Sequence, residues 1–482
     1  MVWQALPGAQ GGKFVKRLLL VLCAIFQLSG AWSPAFAQLA KPAPVRQAID
    51  ENGVDLFWGT YNLDAPRISL GDQAKPALYY HQSWRGRAWT DSLTFSLFQS
   101  GSLMTVAMGG VSDEFTVSGF TYTPTQGNGA TLTFDSSTAI FTYTQSNGTI
   151  VRFYRSYGTP PPYYSNQGRV VDVTWPAGDR LYYSYDSIPF CEVRNPTDPS
   201  LCGITTYAYR IATVRSNLGY QMAFSYGPIP AYNPDDPDNQ PDFAIWSKPI
   251  QIVGSNLAVS SGGATQTMTM SGTSTYTITD ALNRATMYRL NSGLIAGITL
   301  PGSTSEDFTI AYSGYPEGSR VSSFTTAVGT TSYAWSDAGD VRTLIKTDAL
   351  SHATTYKFSL SKQRMISVTT PTPISQTTQW EYDASGRMIK VIMPEGNATE
   401  YCYDDLTNCS VTGGRGNIVR TRLVAKAGSG LAPIETFTSY DATCTNVRTC
   451  NKPNSSTDER GKVTNYTYNS THGGVLTVTL PS

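Results

Sequence analysis

The sequence predicts an all-β fold: a spiral of antiparallel β-hairpins led by a β-rich N-terminal region. Three observations predict it. Tyr, Thr and Val are frequent beside Gly, with 29 Tyr and 42 Gly in 482 residues, a mixture suited to strands and tight turns. A register of Gly, then Val or Ile five later, then Pro eight later recurs along the chain. A second register recurs more often: a turn residue followed, five and seven positions later, by two apolar or aromatic residues.

Residues 1–37 read as a secretory signal. Lys13, Lys16 and Arg17 precede the apolar run LLLVLCAIF, and Ala35 and Ala37 supply the small-residue pattern for cleavage between Ala37 and Gln38. The run is short for a membrane span, so none is expected after cleavage; an uncleaved anchor is the competing reading. Residues 38–76, with KPAPVRQAIDENG, read as a linker or leading segment. Residues 77–157 read as an N-terminal β domain. In ATLTFDSSTAIFTYTQSNGTIVRFYRS, Phe141 and Tyr143 share a face, and Asn147-Gly148 supplies a hairpin turn before residues 150–153. The run YGTPPPYYSNQG marks a boundary, because Pro cannot donate to a sheet ladder.

Residues 158–482 read as the repeat region. The first register fits at Gly168, Val173 and Pro176; at Gly293, Ile298 and Pro301; at Gly386, Val391 and Pro394; and at Gly473, Val478 and Pro481. In the second, Gly178 leads to Tyr183 and Tyr185, Gly219 to Phe224 and Tyr226, and Asn283 to Tyr288 and Leu290. Ser303 leads to Phe308 and Ile310, and Ser351 to Tyr356 and Phe358. Gly396 leads to Tyr401 and Tyr403, and Gly461 to Tyr466 and Tyr468. The turn residue is mostly Gly or Asn, as a positive φ demands. Residues two apart share a face of a strand. The unit is therefore a hairpin, and a lone hairpin is marginal in water. Such units must pair sideways into one long antiparallel sheet, which the right-handed twist coils. The Tyr residues are expected to pack on one face of it; ligand stacking is the competing reading.

The segment YDASGRMIKVIMPEGNATEYCYD, residues 382–404, resembles the tyrosine–aspartate repeat of the Rhs/YD-repeat family. Tyr382, Asp383, Gly386, Arg387, Pro394, Gly396, Asn397, Thr399, Tyr401, Tyr403 and Asp404 match its motif. Other copies, such as TDERGKVTNYTYN and GDRLYYSYD, are degenerate. SWRGRAWTDSL is similar to the start of the family's shell-forming region, so the resemblance runs from about Gly86 to the C-terminus. It implies a spiral of hairpins closing into a hollow shell, which in bacterial members encloses a C-terminal toxin. It also implies the alternative of a cell-surface carbohydrate-binding or adhesion module. The family's Asp- and Pro-rich cleavage motif and effector are absent, and the sequence stops after a matching strand at Pro481. The expectation is the N-terminal portion of an incomplete shell. Its partner would be a missing C-terminal repeat and effector region or a completing chain, with surface glycans as partner under the alternative.

Charge gives 35 basic against 35 acidic residues, which provides no footprint for nucleic acid. Behind the signal lie six Cys in three sequence-local pairs: Cys191 and Cys202, Cys402 and Cys409, Cys444 and Cys450. In an exported chain (periplasm, cell surface or secreted) such pairs read as disulfides. No C-x-x-C spacing or nearby His supports a metal site. Asp404 and Asp405 invite a glycosidase reading, but Asp404 stands where the repeat needs a turn former. The acidic run from Asn233 to Asp242 lacks the spacing of a calcium loop. No P-loop, nucleophile elbow or zincin motif occurs. A non-enzymatic structural protein without cofactor or metal is expected.

Overall fold

The computed structural model describes residues 48–72, 76–108, 111–125, 129–155, 168–195, 197–198, 200–236, 238–259, 265–314, 319–409 and 414–481. The expected signal, with Ala37 and Gln38, lies outside the described residues. The fold is all-β, as expected. Its main body is one 26-stranded sheet, from Thr131–Asp135 to Val475–Thr479, in which every strand pairs with its sequence neighbours. All these pairings are antiparallel, so the chain runs as one uninterrupted meander. No crossover is needed, because each hairpin finds its partner in the next one along the sequence.

The sheet winds. Asn451, after the strand Ile434–Ser439, donates through Nδ2 to the carbonyl of Ser146, in the turn between the sheet's second and third strands, at 3.4 Å. The ideal Cβ of Gly129 would lie 2.8 Å from the Arg415 carbonyl, and that of Gly148 3.4 Å from the Arg448 Cα. Turns at the start of the sheet therefore touch loops some twenty strands later (Thr131–Asp135 is the first strand and Ile418–Val424 the twenty-second). Accumulated twist brings them there.

Residues 48–124 cover one face of the sheet. They form a three-stranded sheet of Asn62–Asp64, Gln82–Arg85 and Ala88–Asp91, a two-stranded sheet of Ile68–Gly71 and Pro76–Tyr80, and a four-stranded sheet from Phe95–Ser100 to Thr121–Pro124. The expected linker is corrected here: Val54, Leu56, Phe57, Tyr61, Ile68 and Leu70 are buried in the main core. Ile68 and Leu70 alternate along a short strand, but Val54, Leu56, Phe57 and Tyr61 lie in turns and isolated bridges, so their role depends on the sheet they cover. Polar contacts fix the same segment. Lys346 Nζ pairs with Asp50 at 2.8 Å, Tyr333 donates to Asp50 at 2.7 Å, and Arg342 Nη1 donates to the Phe57 carbonyl at 2.8 Å.

The expected boundary near residue 157 also moves. The strand Ile150–Tyr154 pairs directly with Val170–Thr174, so the sheet continues past the Pro-rich run. Pro excludes a segment from a ladder but not from the connection between two paired strands. All of the run but its last residue, Gly168, lies outside the described residues.

The hairpin Arg180–Arg194 with Cys202–Ser216 is much longer than its neighbours. Its outer half carries a small second core of Phe190, Ala208, Phe243 and Trp246, the last two from the one short helix among the described residues, Phe243–Trp246. The disulfide Cys191–Cys202 closes its tip.

Candidate functional site: the Tyr–Asp corners and the uncovered face

Several hairpin turns share one construction. At Met393, Pro394, Glu395 and Gly396, the Gly396 N–H donates to the Met393 carbonyl at 2.9 Å, and the Met393 N–H to the Asn397 carbonyl at 2.8 Å. Gly396 has φ 88°. The same pair of bonds closes the turns ending at Gly178, Asn283, Ser351, Gly386 and Gly461, each with positive φ. Ser303 departs from the expectation: its neighbour Gly302 takes the left-handed conformation, with φ 88°. Where Asp opens the turn, its carboxylate accepts backbone N–H groups from inside. Asp280 accepts from Leu282 and Arg284, Asp348 from Leu350 and His352, and Asp458 from Arg460 and Lys462.

The second aromatic of the return strand does more than cover a face. Tyr403 donates its hydroxyl to the Met388 carbonyl at 2.8 Å. Tyr185 does the same to Val170, Tyr226 to Ile211, and Tyr468 to Pro453, always fifteen residues back. A register shift falls at each of these Tyr residues. The residue just before the accepting carbonyl is a cation lying over the same ring: Arg169 on Tyr185, Arg210 on Tyr226, Arg387 on Tyr403, and Lys452 on Tyr468. This cation–Tyr corner was missed in the sequence, although its signal is there as a basic residue sixteen positions before the Tyr.

The near-perfect copy builds the fullest corner. Arg387, only 1% exposed, donates Nε to Asp383 at 2.7 Å and Nη1 to Asp404 at 2.8 Å. Asp404 also accepts the N–H groups of Gly416 and Asn417 at 3.0 Å each. Its oxygens are thus engaged, and Asp405 is exposed and accepts from Thr407. Tyr382 sits in the adjacent corner, its hydroxyl on the Met365 carbonyl, and burial pushes its phenol up to about 12. Tyr401 and Tyr403 share a face, and Cys402 between them is buried and bonded to Cys409. Cys444–Cys450 is likewise formed. Pro394, Gly396 and Asn397 make the outward turn.

Past the core, the two faces of the sheet differ sharply. On the face continuous with the core, Trp380 stands opposite Val391, Val391 opposite Thr399, Thr399 opposite Leu423, and Leu423 opposite Ile434. Leu423 is 47% exposed and Ile434 48%, because residues 48–124 do not reach this far. On the other face, Lys390, Glu400, Arg422 and Glu435 form a cross-strand ladder of alternating charge. Its ion pairs span 3.2 to 3.4 Å. Among the described residues no group of three or more His, Cys, Asp or Glu could hold a metal ion. The acidic run from Asn233 docks on the long hairpin, where Gln240 accepts from the Cys191 N–H and Asp238 pairs with Arg194. No helix among the described residues is long and apolar enough to cross a membrane.

The chain matches no protein-family model and no curated protein. Among solved structures, it aligns with the crystal structure of TcdB2-TccC3-TEV at 12% identity and a TM-score of 0.33, over 96% of this chain and 20% of that one. It aligns with TcdB2-TccC3 without its hypervariable C-terminal region at 9% identity and a TM-score of 0.31, over 83% of this chain and 21% of that one. A porin-like protein from Bacteroides vulgatus aligns at 11% identity and a TM-score of 0.12, over 46% of this chain and 94% of that one. The chain spans about a fifth of the length of the two TcdB2-TccC3 structures.

Proposed function

We propose that the chain is a non-catalytic β-wall of the Rhs/YD-repeat kind, exported to an oxidising compartment, whose aromatic face lies against an enclosed polypeptide. One observation carries this reading: the division of the sheet past residue 377 into an uncovered apolar face and a face of paired charge. A wall needs one face for water and one for its contents. Alternating Lys, Glu and Arg keep the first face hydrated and unattractive to other sheets. The second offers Trp380, Tyr401, Leu423 and Ile434 as a broad apolar surface of the kind that marks a binding face. The chain's own N-terminal residues cover the same face further back, which supports polypeptide as the material it accepts. Three formed disulfides fit export.

Oxidative footprinting tests this. The full chain would be oxidised with and without a reduced, alkylated polypeptide as probe cargo. Protection is expected at Trp380 and Tyr401, with Phe437 on the opposite face unchanged. Equal protection of both faces, or none, would overturn the reading. Protection by oligosaccharides alone would favour the glycan-binding alternative.

A further inference from the structure

The antiparallel meander puts every second hairpin turn on the same rim of the sheet. On the first rim lie the turns at 175–179, 217–219, 280–284, 327–328 and 348–352; on the second lie those at 272–274, 292–293, 339–340, 360–363 and 383–387. The two rims differ. From the turn after Val170–Thr174 to the turn after Ile418–Val424, each of the ten successive turns of the first rim holds out an exposed large apolar side chain. Leu282 is 72% exposed, Leu350 75% and Val328 91%. Among the described residues, the five turns named on the second rim hold out none. A turn ordinarily carries Gly, Asn, Asp or Ser at its tip, and single exposed apolar residues are common. A whole row of them confined to one rim marks a surface that is covered in use.

One device fixes five of these tips. The N–H of the apolar residue donates to a side-chain oxygen two residues before it: Leu218 to Ser216 at 3.0 Å, Leu282 to Asp280 at 2.9 Å, Val328 to Thr326 at 3.2 Å, Leu350 to Asp348 at 2.9 Å and Leu431 to Ser429 at 3.3 Å. The bond ties down the backbone and leaves the side chain in solvent. A turn held in this way loses little freedom when its tip is buried by a partner.

The form of the row selects the partner. Successive tips stand two strand spacings apart, about 9.5 Å, which leaves room between them for one side chain. Ser146 lies in a turn of the first rim and Asn451 in a loop of the second, so one winding displaces the sheet by about its own width. That internal seam is polar, and the turn at 145–149 holds out no large apolar side chain. A row that climbs with the winding meets a flat bilayer over only part of its length. A second copy of the chain has the same spacing and the same pitch. A two-fold axis perpendicular to the winding axis lays one row along the other, the tips of each copy in the gaps of its partner. Charge permits the contact, because Asp280 and Glu306 on this rim are paired with Arg284 and Arg289 of their own chain. The tips, at roughly 60–120 Å² of apolar area per side chain, supply several hundred of the ~800 Å² that each partner buries in a stable interface.

We propose that the apolar rim is a dimerisation surface, which a second copy of the chain covers rim to rim about a two-fold axis. The rim is distinct from the apolar face of the wall, so failure of either reading leaves the other standing.

Sedimentation equilibrium of the full chain from about 1 to 100 μM tests it. A monomer–dimer equilibrium with no larger species is expected. Leu282→Ser combined with Leu350→Ser should weaken the dimer by about a hundredfold or more, since the two-fold axis counts each change twice. The thermal transition of the monomer should hold, because both side chains are exposed in it. Thr273→Arg, on the second rim, should leave the dimer unchanged. A monomer at every concentration, a mass that keeps growing with concentration, a dimer indifferent to the double substitution, or a dimer lost in Thr273→Arg would each overturn the proposal. So would a monomer that floats with phosphatidylcholine vesicles, which would give the row to a lipid surface. The mass of the unaltered chain is read first, so the test decides even if the double variant fails to fold.

Discussion

Arg387 shows how much a single residue does in this fold. It is buried between two carboxylates whose side chains are themselves 3% and 12% exposed. Replacing it with Ala would leave Asp383 and Asp404 charged and unmatched in a site closed to water. The expected loss is about 3–5 kcal/mol, read from chemical denaturation; a loss under ~1 kcal/mol would mean water reaches the pair. The Tyr hydroxyls act on a smaller scale. Tyr403→Phe removes one hydroxyl–carbonyl bond and should cost about 1 kcal/mol. Burial raises the phenols of Tyr276, Tyr382 and Tyr440 to about 12, against about 10 in the unfolded chain. A raised phenol contributes stability that is fully present below pH ~10 and is lost as pH rises toward 12. Denaturation midpoints should therefore stay flat from pH 8 to about 10 and fall beyond it. A fall that begins near neutrality would point to another group.

At the scale of the element, the turn was the most legible feature in the sequence. Gly at 178, 396 and 461 and Asn at 283 announce a left-handed residue, and the structure places one there. Gly396→Ala should cost about 1 kcal/mol, because a Cβ in that conformation meets its own carbonyl. Ser351 already sits at φ 65°, so Ser351→Gly should change stability little, within about 0.5 kcal/mol by denaturation. The face of each aromatic pair was legible for the same reason: strand alternation is a local rule. The cation–Tyr corner was not, because it joins residues fifteen or sixteen apart across a register shift that no local pattern marks. The covering segment was not either, since Val54, Phe57 and Ile68 gain meaning only from the sheet behind them. The disulfides were legible from spacing once the compartment was inferred. Each closes a loop of 6 to 11 residues and should contribute roughly 2–3 kcal/mol. Reductant should lower the denaturation midpoint accordingly, and an unchanged midpoint would show that the loops hold without them.

At the scale of the whole molecule, a succession of hairpins makes one wound sheet. Local hydrogen bonding alone would give a ribbon. The strand Ile140–Thr144 and the strand Ser455–Thr457 are twenty-two strand spacings apart, which in a flat sheet means roughly 100 Å. In the structure the turn at Ser146 and the loop at Asn451 are in hydrogen-bond contact. Winding is what would turn the difference between the two faces into an inside and an outside, as the proposed function requires. The most direct measurement is the distance between spin labels at Asn147 and Thr445, both exposed and close in sequence to that contact, by pulsed electron resonance on the full chain. The wound wall requires a single narrow distribution below about 30 Å, the contact plus the reach of two labels. A broad distribution centred beyond about 50 Å, approaching the flat-sheet spacing, would contradict it.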